Sequence, residues 1–230
     1  MGGLCFFGVP YAAARMLTSE SDRGIRRVAY VDAFNLYYGC LKGTPYKWLN
    51  INAMLTALLP RNDIRHIKYF TARVKPRPED PRAATRQQVY HRALCTLPNL
   101  EIFFGYYLSH EVRMRLVHPL PHGPRTVTVI RTEEKGSDVN LATHLVGDAY
   151  EGRFDCAVVV TNDTDLTLPI ERVRSLRYSV GVINPHVTRA RTRLKAAGFV
   201  RQIRTGVLRE SQFPAVMTDD HGTFTKPCGW

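Results

Sequence analysis

Two apolar runs, each leading to an acid, set the framework of this chain. Val28-Ala-Tyr-Val31 precedes Asp32, and Val158-Val-Val-Thr161 precedes Asn162 and Asp163. Unbroken apolar runs of this kind, rather than alternating ones, are the pattern of strands buried on both faces of a parallel sheet. Further strands are expected over residues 64–74, 100–108, 178–183 and 199–203. Between the strands, helical patterns fall over 52–59, 80–96, 138–150, 165–176 and 188–197. Asn50 or Asn52 caps the first of these and Pro60 stops it, while Gly152 closes the third. In the helix over 80–96, Val89 and Ala93 are expected to face inward and Arg82, Arg86 and Arg92 to face water. Two strand-like stretches, 111–117 and 126–132, flank Pro119-Leu-Pro-His-Gly-Pro124 and predict a β-hairpin insertion or edge extension. Strands alternating with helices make an α/β domain: a mainly parallel central sheet with helices on both faces. The expected boundaries are a flexible extension over 1–24, the domain over 25–208 and a tail over 209–230.

Composition narrows the partner. The 230 residues are 44% hydrophobic, enough for one substantial core, and carry 32 Lys and Arg against 20 Asp and Glu, a net charge of +12. That balance favours a polyanion, nucleic acid above an anionic membrane surface. The five cysteines form no C-x-x-C pair, which argues against a disulfide framework or zinc knuckle and fits a reducing cytoplasm. The N-terminal stretch lacks the basic start of a signal peptide, and no apolar run approaches the roughly 18 residues of a membrane span, so no membrane role is expected.

Against this basic background, the acids at strand ends stand out. In an open parallel sheet, ligands bind beyond the carboxyl ends of the strands. Asp32 and Asp163 leave the sheet at that edge, and Asp138 joins them from the first turn of a helix, after Gly136. Converging carboxylates repel one another unless a cation lies between them, and hard oxygen ligands suit Mg²⁺ or Mn²⁺. The expected chemistry is metal-assisted attack of water on a backbone phosphate. Asp165 either completes the metal shell or serves as a helix N-cap. Asn35 is a candidate to hold Asp32 or the phosphate, or is an ordinary turn residue. Thr161 and Asn162 are candidates to position Asp163, and Lys135 is the candidate phosphate contact beside the metal.

Three segments, Val31-Asp-Ala-Phe-Asn-Leu-Tyr-Tyr-Gly39, Glu134-Lys-Gly-Ser-Asp-Val-Asn-Leu-Ala142 and Val159-Val-Thr-Asn-Asp-Thr-Asp-Leu166, resemble in this order the signature segments of NYN-domain proteins, within the PIN-like nuclease superfamily. The similarity runs from about Arg26 to Phe213, including Ile183-Asn-Pro185. It implies a three-layer α/β/α PIN-like fold and an acidic Mg²⁺ or Mn²⁺ site that cleaves RNA, with Asp32, Asp138, Asp163 and Asp165 on the family's acidic positions and Asn35 on its asparagine. Asp148 matches a further acid of many relatives. Ten residues along a helix turn it about 80° away from Asp138, which argues against a shared metal. The proline-rich connection over 119–124 departs from the commoner members.

For substrate grip, Arg189 and Arg193 share a helical face and could track phosphates, while Arg172, Arg174 and Arg177 lie on the preceding helix. Tyr37, Tyr38 and Trp48 are candidates to stack on bases, with core burial expected for at least one of them. The histidines show no zinc spacing and are given no role. The expected partner is RNA, with a homodimer allowed. The competing readings are a silent RNA- or protein-binding module of the same fold, and a metal-dependent phosphatase or DNase.

Overall fold

The structure is a computed structural model that describes residues 25–76, 78–119, 121–186 and 197–230. Its sheet has seven strands: β1 (Arg27–Asp32), β2 (Ile64–Ala72), β3 (Leu100–Arg115), β4 (Thr126–Lys135), β5 (Cys156–Val160), β6 (Ser179–Asn184) and β7 (Phe199–Gln202). Their order is β4-β3-β2-β1-β5-β6-β7, and all neighbours are parallel except β3 and β4. The predicted α/β class and mainly parallel sheet are therefore present. β1 and β5 are the centre, and Val28 to Val31 and Ala157 to Val160 are all nearly inaccessible, which is why both read as unbroken apolar runs.

Alternate residues of each strand feed two cores. On one face Ala29, Val31 and Tyr69 pack against α2 (Ile51–Leu58) and α3 (Ala83–Cys95); on the other, Tyr30, Phe70 and Val159 pack against α4 (Ser137–Tyr150) and α5 (Thr167–Ser175). Asn50 caps α2, its side chain accepting from the Ala53 N–H at 3.0 Å. A short α1 (Ala33–Leu36) and a π-helical turn (Tyr37–Leu41) follow β1 directly.

Several expectations change in detail. The stretches 100–108 and 111–117 are one sixteen-residue strand, β3, paired with β4 as a long antiparallel ribbon. The helix expected over 165–176 is a 3₁₀ turn (Thr164–Leu166) running into α5. Arg82 is exposed as expected, whereas Arg86 and Arg92 are half-buried by partners on other segments: Arg86 pairs with Asp80, and Arg92 makes two hydrogen bonds to Asp219, at 2.7 and 2.6 Å.

The expected tail is part of the body. After α6 (Thr205–Glu210), Phe213 is buried, and β8 (Val216–Asp219) and β9 (Gly222–Thr225) form a hairpin that brings Phe224 into the core. The Trp48 indole N–H donates to the Pro214 carbonyl at 2.8 Å, and Trp230 packs edge-on to Trp48. Four-residue strands carry too few alternations to register as strands, so only tertiary packing reveals them. The expected extension over 1–24 and the expected helix over 188–197, with Arg189 and Arg193, lie outside the described residues apart from Ala197.

Candidate active site

From β1 the chain moves outward to β2 and β3, then returns to place β5 on the other flank of β1. The boundary between β1 and β5 is thus the switch point of the sheet, where diverging connections leave a crevice beyond the strand ends. Asp32, the last residue of β1, is buried at this edge. One carboxylate oxygen accepts the Asn35 N–H at 2.9 Å, capping α1, and the other accepts the Thr161 hydroxyl at 3.1 Å. The same hydroxyl accepts the Asp163 N–H at 3.1 Å, and Asp163 in turn accepts the Asp165 N–H at 3.0 Å. Asn35 Oδ1 accepts the Asn162 N–H at 2.8 Å and so straps the end of β1 to that of β5. Two strand ends are locked together by three short polar side chains.

The third acid arrives by a different route. Gly136 adopts φ 96°, a left-handed conformation that L side chains resist, and turns β4 into α4. The Glu134 carboxylate caps that helix by accepting the Ser137 N–H at 3.1 Å and the Ser137 hydroxyl at 2.8 Å. Asp138 then lies in the first turn, where the helix dipole favours negative charge. Gly105 of β3 makes room for this turn, since a Cβ there would lie 2.5 Å from the Lys135 carbonyl oxygen and 3.0 Å from the Ser137 nitrogen. Gly105→Ala is expected to push the turn aside, costing about 1–3 kcal/mol in urea unfolding and displacing Asp138.

Asp32, Asp138 and Asp163 line one open cavity of about 450 Å³, together with Asn35, Glu134 and His186 and the rings of Phe34, Tyr38 and Tyr107. Burial pushes the Asp32 carboxyl up to about 7; the charges of Asp138 and Asp163 add to this, while the hydrogen bonds from Asn35 and Thr161 act against it. Asp138 is raised by desolvation first and then by Asp163, Glu134 and Asp165. Such a cluster holds its negative charge at a cost that a cation would relieve. The donor set, carboxylate oxygen throughout, suits a hard divalent ion. Among the described residues no three His, Cys, Asp or Glu side chains close into a compact ligand cage. The acids instead face a common space, which fits an ion such as Mg²⁺ that keeps several of its waters.

The sequence-derived candidates divide. Asp32, Asn35, Asp138 and Asp163 line the cavity; Thr161 and Asn162 brace it from behind. Asp165 is exposed and outside the cavity lining, and it is Asp163 whose side chain caps the 3₁₀ turn. Lys135 is ion-paired with Glu133 at 3.1 Å and does not line the cavity. Tyr38 lines it, Tyr37 lines a neighbouring cavity, and Trp48 is fully buried and unavailable for stacking. His186, given no role from the sequence, lines the cavity just past β6, its backbone N–H held by Asn184 Oδ1 at 2.9 Å. The sequence signal for it was the Asn184-Pro185 turn at a strand's carboxyl end.

A central parallel sheet with acids at its switch point and helices on both faces defines a PIN-like α/β/α protein. The chain belongs to the NYN domain family, whose pattern matches residues 27–201. Over 248 aligned residues it is 34% identical to 6-hydroxy-3-succinoylpyridine 3-monooxygenase HspA of Pseudomonas putida, covering 94% of this chain and 78% of that protein. Among solved structures, a protein of unknown function from Vibrio parahaemolyticus shares the fold, with a TM-score of 0.53, 17% identity, and coverage of 81% of this chain and 98% of that one.

Proposed function

We propose that this chain is a ribonuclease that hydrolyses RNA phosphodiester bonds in the acidic cavity, with Mg²⁺ or Mn²⁺ held by Asp32, Asp138 and Asp163. The observation that carries the reading is that β1, α4 and the segment after β5 each deliver a carboxylate to one cavity, at the switch point of a chain whose net charge is +12. A bound divalent ion would acidify water and neutralise charge on the phosphoryl oxygens. The chain's own residues supply position. Thr161 and Asn35 hold the two strand ends in register, Glu134 fixes the turn that presents Asp138, and His186 lies where a phosphate oxygen would enter.

Labelled single-stranded RNA incubated with the purified protein is expected to be cut with Mn²⁺ or Mg²⁺ and to stay intact with EDTA. Intact RNA under all three conditions, with RNA still bound, would instead favour a silent binding module.

The Pseudomonas relative supports a second reading, oxygenation of a pyridine carrying an acid side chain, because its 34% identity extends over nearly the whole chain. A monooxygenase consumes O₂ and two electrons from a donor such as a reduced nicotinamide, one oxygen atom entering the organic product and the other leaving as water. Oxygen uptake dependent on both 6-hydroxy-3-succinoylpyridine and the donor would establish it, and its absence alongside RNA cleavage would dismiss it.

A further inference from the structure

A second cavity, of about 320 Å³, adjoins the acidic one and shares Phe34, Tyr38 and Tyr107 with it as a common wall. Its floor contains three polar side chains that are each at least nine-tenths buried: Tyr69 at 6%, Thr71 at 2% and His91 at 9% exposure. None of the three has a hydrogen-bond partner among the described residues, although buried polar groups are almost always paired. They are not sealed in packing, since the only fully occluded unpaired side-chain atom among the described residues is Gln212 Oε1. Their polar atoms are therefore open to the cavity. Burial, reinforced by Arg73, pushes the His91 imidazole down to about 4, so at neutral pH it offers one donor and one acceptor.

The walls and rim add two further properties. Tyr37, Tyr38, Tyr107 and Trp230 give the cavity flat apolar sides, and His91 meets Tyr69 edge-on at 6.5 Å. At the rim Lys47, Lys75 and Arg86 are set against a single carboxylate, Asp80, leaving an excess of positive charge. Aromatic walls, a polar floor with both donors and acceptors, and a cationic mouth select one ligand chemistry. We propose that this cavity binds a planar nitrogen heteroaromatic ring carrying an anionic side chain, its ring edge hydrogen-bonded by Tyr69, Thr71 and His91 and its anion at Lys75 and Arg86. Two sources carry that chemistry: a nucleotide of a bound RNA, and a free hydroxypyridine carboxylate. The assignment is independent of whether the acidic cavity cleaves RNA, because it is read by binding alone.

Isothermal titration calorimetry of the full chain with 6-hydroxynicotinate, with uridine 5′-monophosphate and with neutral nicotinamide tests it. One or both anionic ligands should bind, and nicotinamide at least about tenfold more weakly. Binding of the nucleotide alone identifies the RNA source, and binding of the hydroxypyridine acid alone identifies the small molecule. Tyr69→Phe and Thr71→Val, both close to isosteric, should each weaken the ring by about tenfold, the loss of one hydrogen bond. Lys75→Gln, on the exposed rim, should weaken the anionic ligands and leave nicotinamide unchanged, which keeps the test valid if a floor variant fails to fold. Asp163→Asn should bind as wild type does, which separates this site from the acidic cavity. Absence of binding by both anionic ligands at millimolar concentration would overturn the proposal, as would binding that all three variants leave intact.

Discussion

Asp163→Asn is expected to lower the rate of RNA cleavage by about three orders of magnitude while leaving folding and RNA affinity close to wild type. The size follows from the several kcal/mol by which a positioned divalent ion stabilises charge in the transition state, each 1.36 kcal/mol being tenfold in rate. The selectivity follows from the local bonds. Asp163 Oδ1 accepts the Asp165 N–H, and its own N–H is held by Thr161. Asparagine keeps an acceptor oxygen in that position, so the 3₁₀ turn survives while the carboxylate charge is lost. Asp32→Asn is a poorer experiment, because Asp32 is buried and accepts from both Asn35 and Thr161, where an amide nitrogen would face the Thr161 hydroxyl or the Asn35 N–H. Single-turnover cleavage with Mn²⁺, beside a binding isotherm and a thermal melt, reads all three quantities. An unchanged rate would remove Asp163 from the site, and loss of binding with rate would assign it to grip rather than chemistry.

What the sequence made legible was whatever depends on local pattern plus topology. β1 and β5 are continuous apolar runs because both of their faces are covered, and the acids that end them fall together because parallel strands share an edge. Gly136 and Asp138 could be read because a glycine before a helix start has a local meaning. The second cavity was not legible. Tyr69 and Thr71 lie on β2, His91 on α3 and Trp230 more than a hundred residues further on, and no spacing rule connects them. One wall of the cavity is completed by Trp230, because the residues after α6 return to pack on Trp48 and Tyr90. The partners of Arg86 and Arg92 were hidden for the same reason: a helical wheel gives the direction of the arginines but not the carboxylates, Asp80 and Asp219, that meet them. Asp148 is the reverse case, where helical geometry alone turned it away from the acidic cavity, toward the opposite core.

That core gives the largest expected loss of stability. Asp148 Oδ2 accepts from Lys68 Nζ at 2.6 Å and from the Tyr30 hydroxyl at 2.6 Å, with side chains 7% and 8% exposed for the ion pair. Lys68 projects from β2 beneath α4, close to the Phe103 ring and 3.3 Å from His144 Nδ1. Burial, with the bond to Asp148, holds the Tyr30 hydroxyl firmly protonated, so it remains a donor across the accessible pH range. Asp148→Ala would leave an ammonium among aromatic rings and a tyrosine hydroxyl without its acceptor. Breaking a buried pair from one side costs about 3–5 kcal/mol, whereas replacing both partners by apolar groups is commonly near neutral. Asp148→Ala is thus expected to shift urea unfolding by about that amount, and Asp148→Leu combined with Lys68→Met by much less. The sign of the difference carries the meaning. A double variant as unstable as the single one would show that the pair does more than neutralise its own burial, and that α4, which presents Asp138 at its other end, depends on it for its position over β1 and β2.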